Sequence, residues 1–295
     1  KADTLIAQLG AGELDVITQD ALDVAQVPAL DKLANATVSY TPGIAWEHLD
    51  LNLNDPILQD RKVRLALAFG LDRRELVEKL FLGKTVPAPS VVPEWSWAYT
   101  LDVPSYPYDP IRAADLLDQA GWTLAADGIR EKGGQKLRLK LQTTDAPIRL
   151  KAAPLIKEQL RRIGVEVVVE HQPFKAFFDR RTGPLVQRTF QVGEYAWLSG
   201  YDPGADLAYA YHSRNIPSPE NNYSGGNYAG YRHPEVDRLL DQGLATLDQR
   251  ERARLYQQAQ KLIMNDLPTI PLFVHPNITA VSKRVTNFKP PRSSI

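Results

Sequence analysis

The chain contains no cysteine. That excludes disulfides, thiolate-ligated zinc and thiol catalysis. It does not fix the compartment, because exported proteins also do without cysteine. An excess of either charge is missing too: 35 Lys and Arg balance 35 Asp and Glu. No long-range field draws in nucleic acid or an anionic membrane, and no nucleic-acid partner is expected. No stretch approaches 18 uncharged apolar residues, so no transmembrane helix is predicted. Residue 1 falls directly before a helix-like segment, with no signal-type stretch ahead of it; a truncated or processed chain is the expectation. Proline, in contrast, is abundant at 22 residues, which calls for many ordered turns and extended connections. The 295 residues, 43% of them hydrophobic, suffice for one large domain or two smaller ones.

Hydrophobic periodicity divides most of the chain into strands and helices. A short helix over residues 4–9 stops at Gly10 and Gly12, a short strand follows at 14–18, and 20–33 reads as helix. Residues 36–42 and 44–53 read as two strands. In the second, Trp46, His48, Asp50 and Asn52 share one face, with Glu47, Leu49, Leu51 and Leu53 on the other. Residues 62–80 read as one amphipathic helix with Val63, Leu67, Leu71, Leu76 and Leu80 inward. The stretch 87–110, rich in Pro, Trp and Tyr, is expected to be ordered because so many aromatics do not stay solvated. Asp109-Pro110 starts the next helix as N-cap and first residue, and Gly121 ends it. A strand at 137–143, a helix at 148–163 and a buried strand at 165–170 form a right-handed parallel crossover. A short helix at 174–181 and a strand at 189–197 come next. Residues 200–230 read as a long loop of functional type. Helices at 234–247 and 249–265, a buried strand at 269–275 and a weakly patterned tail complete an α/β chain with a mixed sheet.

Residues 51–76, LNLNDPILQDRKVRLALAFGLDRREL, carry a recognisable order. Asn52 ends a strand, and Asp60, Val63, Arg64, Ala66, Leu67, Asp72 and Arg73 follow. This resembles the signature D-x-x-V-R-x-A-L-x-x-x-x-D-R of the extracytoplasmic solute-binding proteins that serve peptide- and nickel-type ABC importers. Further segments resemble the same family in the same order. They are Tyr108-Asp109-Pro110 with Ala113, Leu116, Leu117, Ala120, Gly121 and Trp122; the Ile163-Gly164 step into VEVVVE; Tyr231 with His233, Pro234, Glu235, Val236 and Asp237; and RERARLYQQAQKLIMNDLPTIPLF. The resemblance spans roughly residues 45–290. It implies a periplasmic-binding-protein-like lobe with a mixed sheet flanked by helices, plus small segments of another lobe. On that analogy residues 1–40 and 277–295 belong to a first lobe, 41–276 form the second, and most of the first lobe is missing. The implied role is capture of an oligopeptide or oligosaccharide, delivered to a membrane permease by a monomeric, periplasmic or lipid-anchored protein through hinge closure.

The strand end at 193–206, GEYAWLSGYDPGAD, is the leading ligand candidate, because strand ends facing a cleft are where α/β proteins bind small molecules. Trp197 and Tyr201 offer faces for stacking; Asp202 and Asp206 offer acceptors. Peptide-binding relatives often carry W-x-x-D-Y here, with the Asp on the peptide amino group. This chain reads Trp197-Leu198-Ser199-Gly200-Tyr201, with Gly200 in place of the acid and Asp202 two residues on. Trp46 and His48 are a second candidate, and Trp95, Trp97 and Tyr99 a third. Asp60, Arg64, Asp72 and Arg73 are expected to be ion pairs and caps. No catalytic residue, metal ligand or cofactor site emerges: His48, His171, His212, His233 and His275 are scattered, and neither an H-E-x-x-H, a G-x-S-x-G nor a phosphate loop is present. A hydrolase using Asp202 and Asp206 on glycans or peptides is the alternative class.

Overall fold

The computed structural model describes residues 1–18 and 21–290. In chain order the elements are α1 (Ala2–Ala11), β1 (Val16–Ile17), α2 (Val27–Leu30), β2 (Ala36–Leu51), α3 (Arg61–Gly70), α4 (Arg73–Phe81) and α5 (Pro110–Gln119). There follow β3 (Thr123–Leu124), β4 (Arg130–Lys132), β5 (Gln135–Lys136), β6 (Arg138–Thr144), α6 (Pro147–Arg161), β7 (Glu166–Gln172), α7 (Phe174–Phe177) and β8 (Val192–Leu198). The last are α8 (Pro203–Tyr211), α9 (Pro234–Ala245), α10 (Gln249–Asp266) and β9 (Thr269–Ser282). Six strands form one mixed sheet in the order β1-β9-β2-β8-β6-β7, and β3-β4-β5 make a small separate one. The fold class is the α/β mixed sheet that the pattern implied. The crossover β6-α6-β7 is parallel, in register from Arg138 opposite Glu166 to Thr144 opposite Gln172.

Five expectations change. The two strands around Pro42 are a single strand, β2, which runs antiparallel to β9 with a register shift between the Pro42 and Trp46 pairs. Pro42 and Gly43 read as a stop, but a bulge lets the chain bend and stay extended. β9 correspondingly reaches Ser282 rather than residue 275. The helix expected at 62–80 is two helices. Leu71 leaves helical geometry at φ −100° and ψ 114°, and the Asp72 carboxylate then accepts from the Arg74 and Glu75 amides to start α4. The apolar stripe stays buried across the break, so periodicity alone conceals it. The helix expected at 20–33 reduces to a 3-10 turn and the four residues of α2; its residue 20 lies outside the described residues. The loop expected at 200–230 contains α8, which Asp202 caps and Pro203 opens, the same Asp-Pro start used by α5.

The sheet has a core on each side. Leu49, Leu51, Leu139, Leu141 and Val192 pack against Leu67, Ile156 and Leu160 of α3 and α6. Trp46 packs toward Leu239, Leu240, Tyr256 and Ile263 of α9 and α10. Past the bulge, Ile278 and Ala280 of β9 join Ile6, Leu9, Val27 and Leu30 in a separate core. Arg64 and Arg73 act as staples. Arg64 donates to the carbonyls of Leu58, Gln59 and Asp266, and Arg73 to those of Ala68, Tyr106 and Pro271. Burial pushes the Arg73 guanidinium down to about 10. With Asp60 and Asp72 as caps, the motif that identifies the chain's resemblance is structural throughout.

Candidate functional site

Antiparallel pairing sets Trp46 of β2 directly opposite Trp197 of β8 and His48 opposite Tyr195. Because paired residues share a face, one side of this strand pair is aromatic. Trp46 is 4% exposed and donates from Nε1 to Ser199 Oγ at 3.1 Å. His48 is 2% exposed. Its ring lies 4.9 Å from that of Trp46 and 4.2 Å from that of Tyr195. Burial holds the imidazole below its ordinary value, against the pull of Asp50 and Glu47. Asp50 is engaged by Tyr195 Oη at 2.6 Å and Thr269 Oγ1 at 2.7 Å. His48 therefore stands behind the aromatic surface as its support, since helices α8 to α10 cover this part of the sheet.

Past the end of β8 the chain turns outward. A cavity of about 10 Å³ lies here, lined by Trp46, Pro93, Trp197, Ser199, Gly200, Asp206 and Tyr211. That is room for one water, so these side chains form a wall rather than an enclosing pocket. Pro93 also lines an adjoining open hollow of about 290 Å³ with Pro42, Pro89, Glu94, Trp95 and Val274. Trp197 is half-buried and stacked on Tyr209, with ring centroids 5.8 Å apart. Tyr201, 69% exposed, meets the edge of Trp95 at 6.0 Å, and its carbonyl accepts from Trp97 Nε1 at 3.0 Å. Trp95 Nε1 is buried without a hydrogen-bond partner among the described residues. Residues 95–99 form turns rather than an extended strand. Trp97 packs inward on Tyr256, so the three-residue platform does not form and Trp95 alone joins the wall.

The two acids of this loop have different surroundings. Asp202 caps α8 through the Gly204 amide and takes Arg252 Nη2 on both oxygens, at 2.8 and 2.7 Å. Its charge is already answered. Asp206 accepts the Gly200 amide at 2.6 Å on Oδ2, and no cation pairs with it among the described residues. Partial burial raises its carboxyl above the ordinary value, the Gly200 hydrogen bond opposing and Asp202 adding to the shift. Sequence reasoning named Asp202 as the substitute acceptor. The partner that occupies it, Arg252, lies fifty residues on, and nothing local to the loop announces it. Trp46, Trp197 and Gly200 line the same small cavity.

The opposite face of the same strands buries an ionic cluster. Glu47 takes Arg149 Nε at 2.5 Å and His275 Nε2 at 2.8 Å. Glu194 is fully buried beside them, and neither of its carboxylate oxygens has a hydrogen-bond partner among the described residues. Burial, then the charge of Glu47, pushes its carboxyl well above the ordinary value. A further hollow of about 530 Å³ is lined by Arg73, Arg74, Tyr106, Tyr108 and Pro271, and by none of Trp46, Trp197, Gly200 or Asp206. No group of three His, Asp or Glu side chains able to hold a metal is present among the described residues, and no helix among them is long and apolar enough to cross a membrane.

A model described as "Bacterial extracellular solute-binding proteins, family 5 Middle" matches residues 1–218. The oligopeptide-binding protein AppA of Bacillus subtilis (strain 168) is 27% identical over 293 residues, 98% of this chain and 51% of its own. The glutathione-binding protein GsiB of Escherichia coli (strain K12) is 30% identical over 268 residues, 89% of this chain and 49% of its own. Among solved structures, AppA from Bacillus subtilis in complex with a nonapeptide superposes with a TM-score of 0.78 at 25% identity. The match covers 98% of this chain and 56% of that one. NikZ from Campylobacter jejuni in complex with Ni(L-His) gives 0.77 at 25% identity, again over 98% and 56%. The chain spans about half the length of the curated relatives it matches.

Proposed function

The chain belongs to family 5 of the bacterial extracellular solute-binding proteins, and on that premise we propose that it forms one wall of a cleft. In that cleft a longer protein captures a peptide or related small solute for the membrane permease of an ABC importer. The named relatives are binding proteins for an oligopeptide and for glutathione. Residues 1–40 and 277–295 then belong to one lobe and 41–276 to the other. The β2-β9 ribbon joins them, and its bulge between Pro42 and Trp46 is the natural place for a hinge to bend. The working location is outside the cytoplasm, in the periplasm or tethered to the surface by a lipid.

One observation carries this reading: among the described residues Asp206 is a partly buried carboxylate without a cation, beside the indoles of Trp46 and Trp197. A carboxylate with aromatic neighbours is the combination that receives an ammonium group. An arriving amine relieves the charge that burial disfavours, whereas an oligosaccharide leaves it unanswered. Asp206 thus takes the acceptor role that Gly200 vacates and that Arg252 denies to Asp202. Trp197 and Tyr201 supply stacking surface, and Trp95 Nε1 an unspent donor. Titration calorimetry of the longer protein against pools of short peptides and of oligosaccharides tests the assignment. Heat from the peptide pool alone is expected. Heat from the sugars alone, or from neither, contradicts it.

A further inference from the structure

Most buried arginines of this chain have their donors taken. Arg64 and Arg73 spend theirs on backbone carbonyls. Arg130 and Arg149 each face a carboxylate. Arg188 differs. It is half-buried, its Nε donates to the Tyr228 carbonyl at 3.1 Å, and no carboxylate pairs with it among the described residues.

The backbone around Arg188 is shaped to hold the guanidinium. Arg188 itself sits at φ +55°, a left-handed conformation that costs energy for a residue with a side chain. Gly230, at φ +73°, stacks against it so closely that a Cβ there would lie 1.8 Å from Arg188 Nη2. Two residues on, Arg232 is exposed and likewise lacks an acidic partner among the described residues. Burial, and then the neighbouring Arg232 charge, hold the Arg188 guanidinium below its ordinary value. The Asn52 amide donates to the carbonyls of Arg188 and Phe190, which fixes the loop at the Asn52 end of β2. Six residues of strand, about 20 Å at the usual rise, separate it from Trp46 and the solute wall.

We propose that Arg188 and Arg232 form an oxyanion site, separate from the solute wall, that takes a carboxylate or phosphate group. The free Nη1 and Nη2 of Arg188 provide a planar fork that matches two oxygens of such a group. Arg232 adds the second charge from the solvent side. An anion there removes the repulsion between two guanidinium groups that the fold otherwise leaves unanswered.

The experiment is thermal unfolding of the protein in sodium phosphate, in sodium acetate and in sodium chloride at matched ionic strength. Wild type is compared with Arg188→Gln and with Arg232→Gln, which removes an exposed side chain that holds nothing in place. Phosphate also stabilises proteins non-specifically, so the readout is the difference between variants. At a tenfold excess over Kd, wild type is expected to gain about 2–3 °C over chloride. Arg232→Gln keeps half of that gain or less, and Arg188→Gln none. An Arg188-dependent gain with acetate in place of phosphate supports the same site and assigns it to carboxylates. Broadening of the phosphate phosphorus resonance gives a readout independent of stability. Equal gains in all three proteins, or no arginine-dependent response to either anion, overturn the proposal and leave Arg188 as a staple for the 228–230 turn.

Discussion

Glu194 and His48 show how burial at single residues sets the response to pH. Burial keeps the Glu194 carboxyl protonated in the fold well past its ordinary value of 4.5. The unfolded chain releases that proton near 4.5. The stability tied to the protonated form is therefore complete below that pH and is lost as pH rises through the folded value. His48 works in the other direction. Its depressed imidazole contributes stability that is full above its unfolded value of 6.5 and is lost as pH falls below it. A Glu194→Gln variant retains His48, so comparison with wild type isolates the carboxyl. Urea unfolding at about pH 5 and about pH 8 should show a smaller loss of stability on going up in pH for the variant. An unchanged difference between the two pH values would mean that Glu194 finds a charge partner in solution. At this scale the placement of Trp197 and Gly200 at the end of β8 was legible because a strand end is a local feature. The inaccessibility of His48 and the occupied state of Asp202 were not legible, since each depends on elements far along the chain.

Among the elements, the legible ones are those whose signals are local. The Asp-Pro start of α5, the glycine stop after it, and the strand-helix-strand crossover to β7 all stand where residue patterns placed them. Three failures share a cause. The break between α3 and α4 leaves the buried stripe intact, the bulge in β2 mimics two strands, and α8 hides in a segment with loop composition. In each case a capping or pairing interaction overrides the composition. Asp72 is the clearest instance, because its side chain takes two amides of α4 while its backbone pairs with the Gln159 side chain. Asp72→Ala is expected to cost about 1–2 kcal/mol, read as a lower denaturant midpoint at unchanged slope. A loss under about 0.3 kcal/mol would mean that packing alone starts α4.

Over the whole molecule, the β2-β9 ribbon is the organising feature. It carries the sheet from the core of Ile6, Leu9 and Ile278 to the two cores around Leu49 and Trp46. Its aromatic side leads to the end of β8, beside which the Asp206 carboxylate has no cation among the described residues. Family membership was legible from five motifs in order, and the charged residues of the first, Asp60, Arg64, Asp72 and Arg73, are caps and staples. The surroundings of the candidate site depend instead on Gly200, Arg252 and Asp206 together, which no single motif contains. The most direct measurement is titration calorimetry of the longer protein with one bound peptide and its N-acetylated form, in wild type and in Asp206→Asn. Acetylation and the substitution should each weaken binding by about 10- to 100-fold, the range of a lost charge-assisted hydrogen bond. Together they should cost little more than either alone, because they remove the same contact. An acetylated peptide that binds wild type as tightly as the free amine would contradict the account.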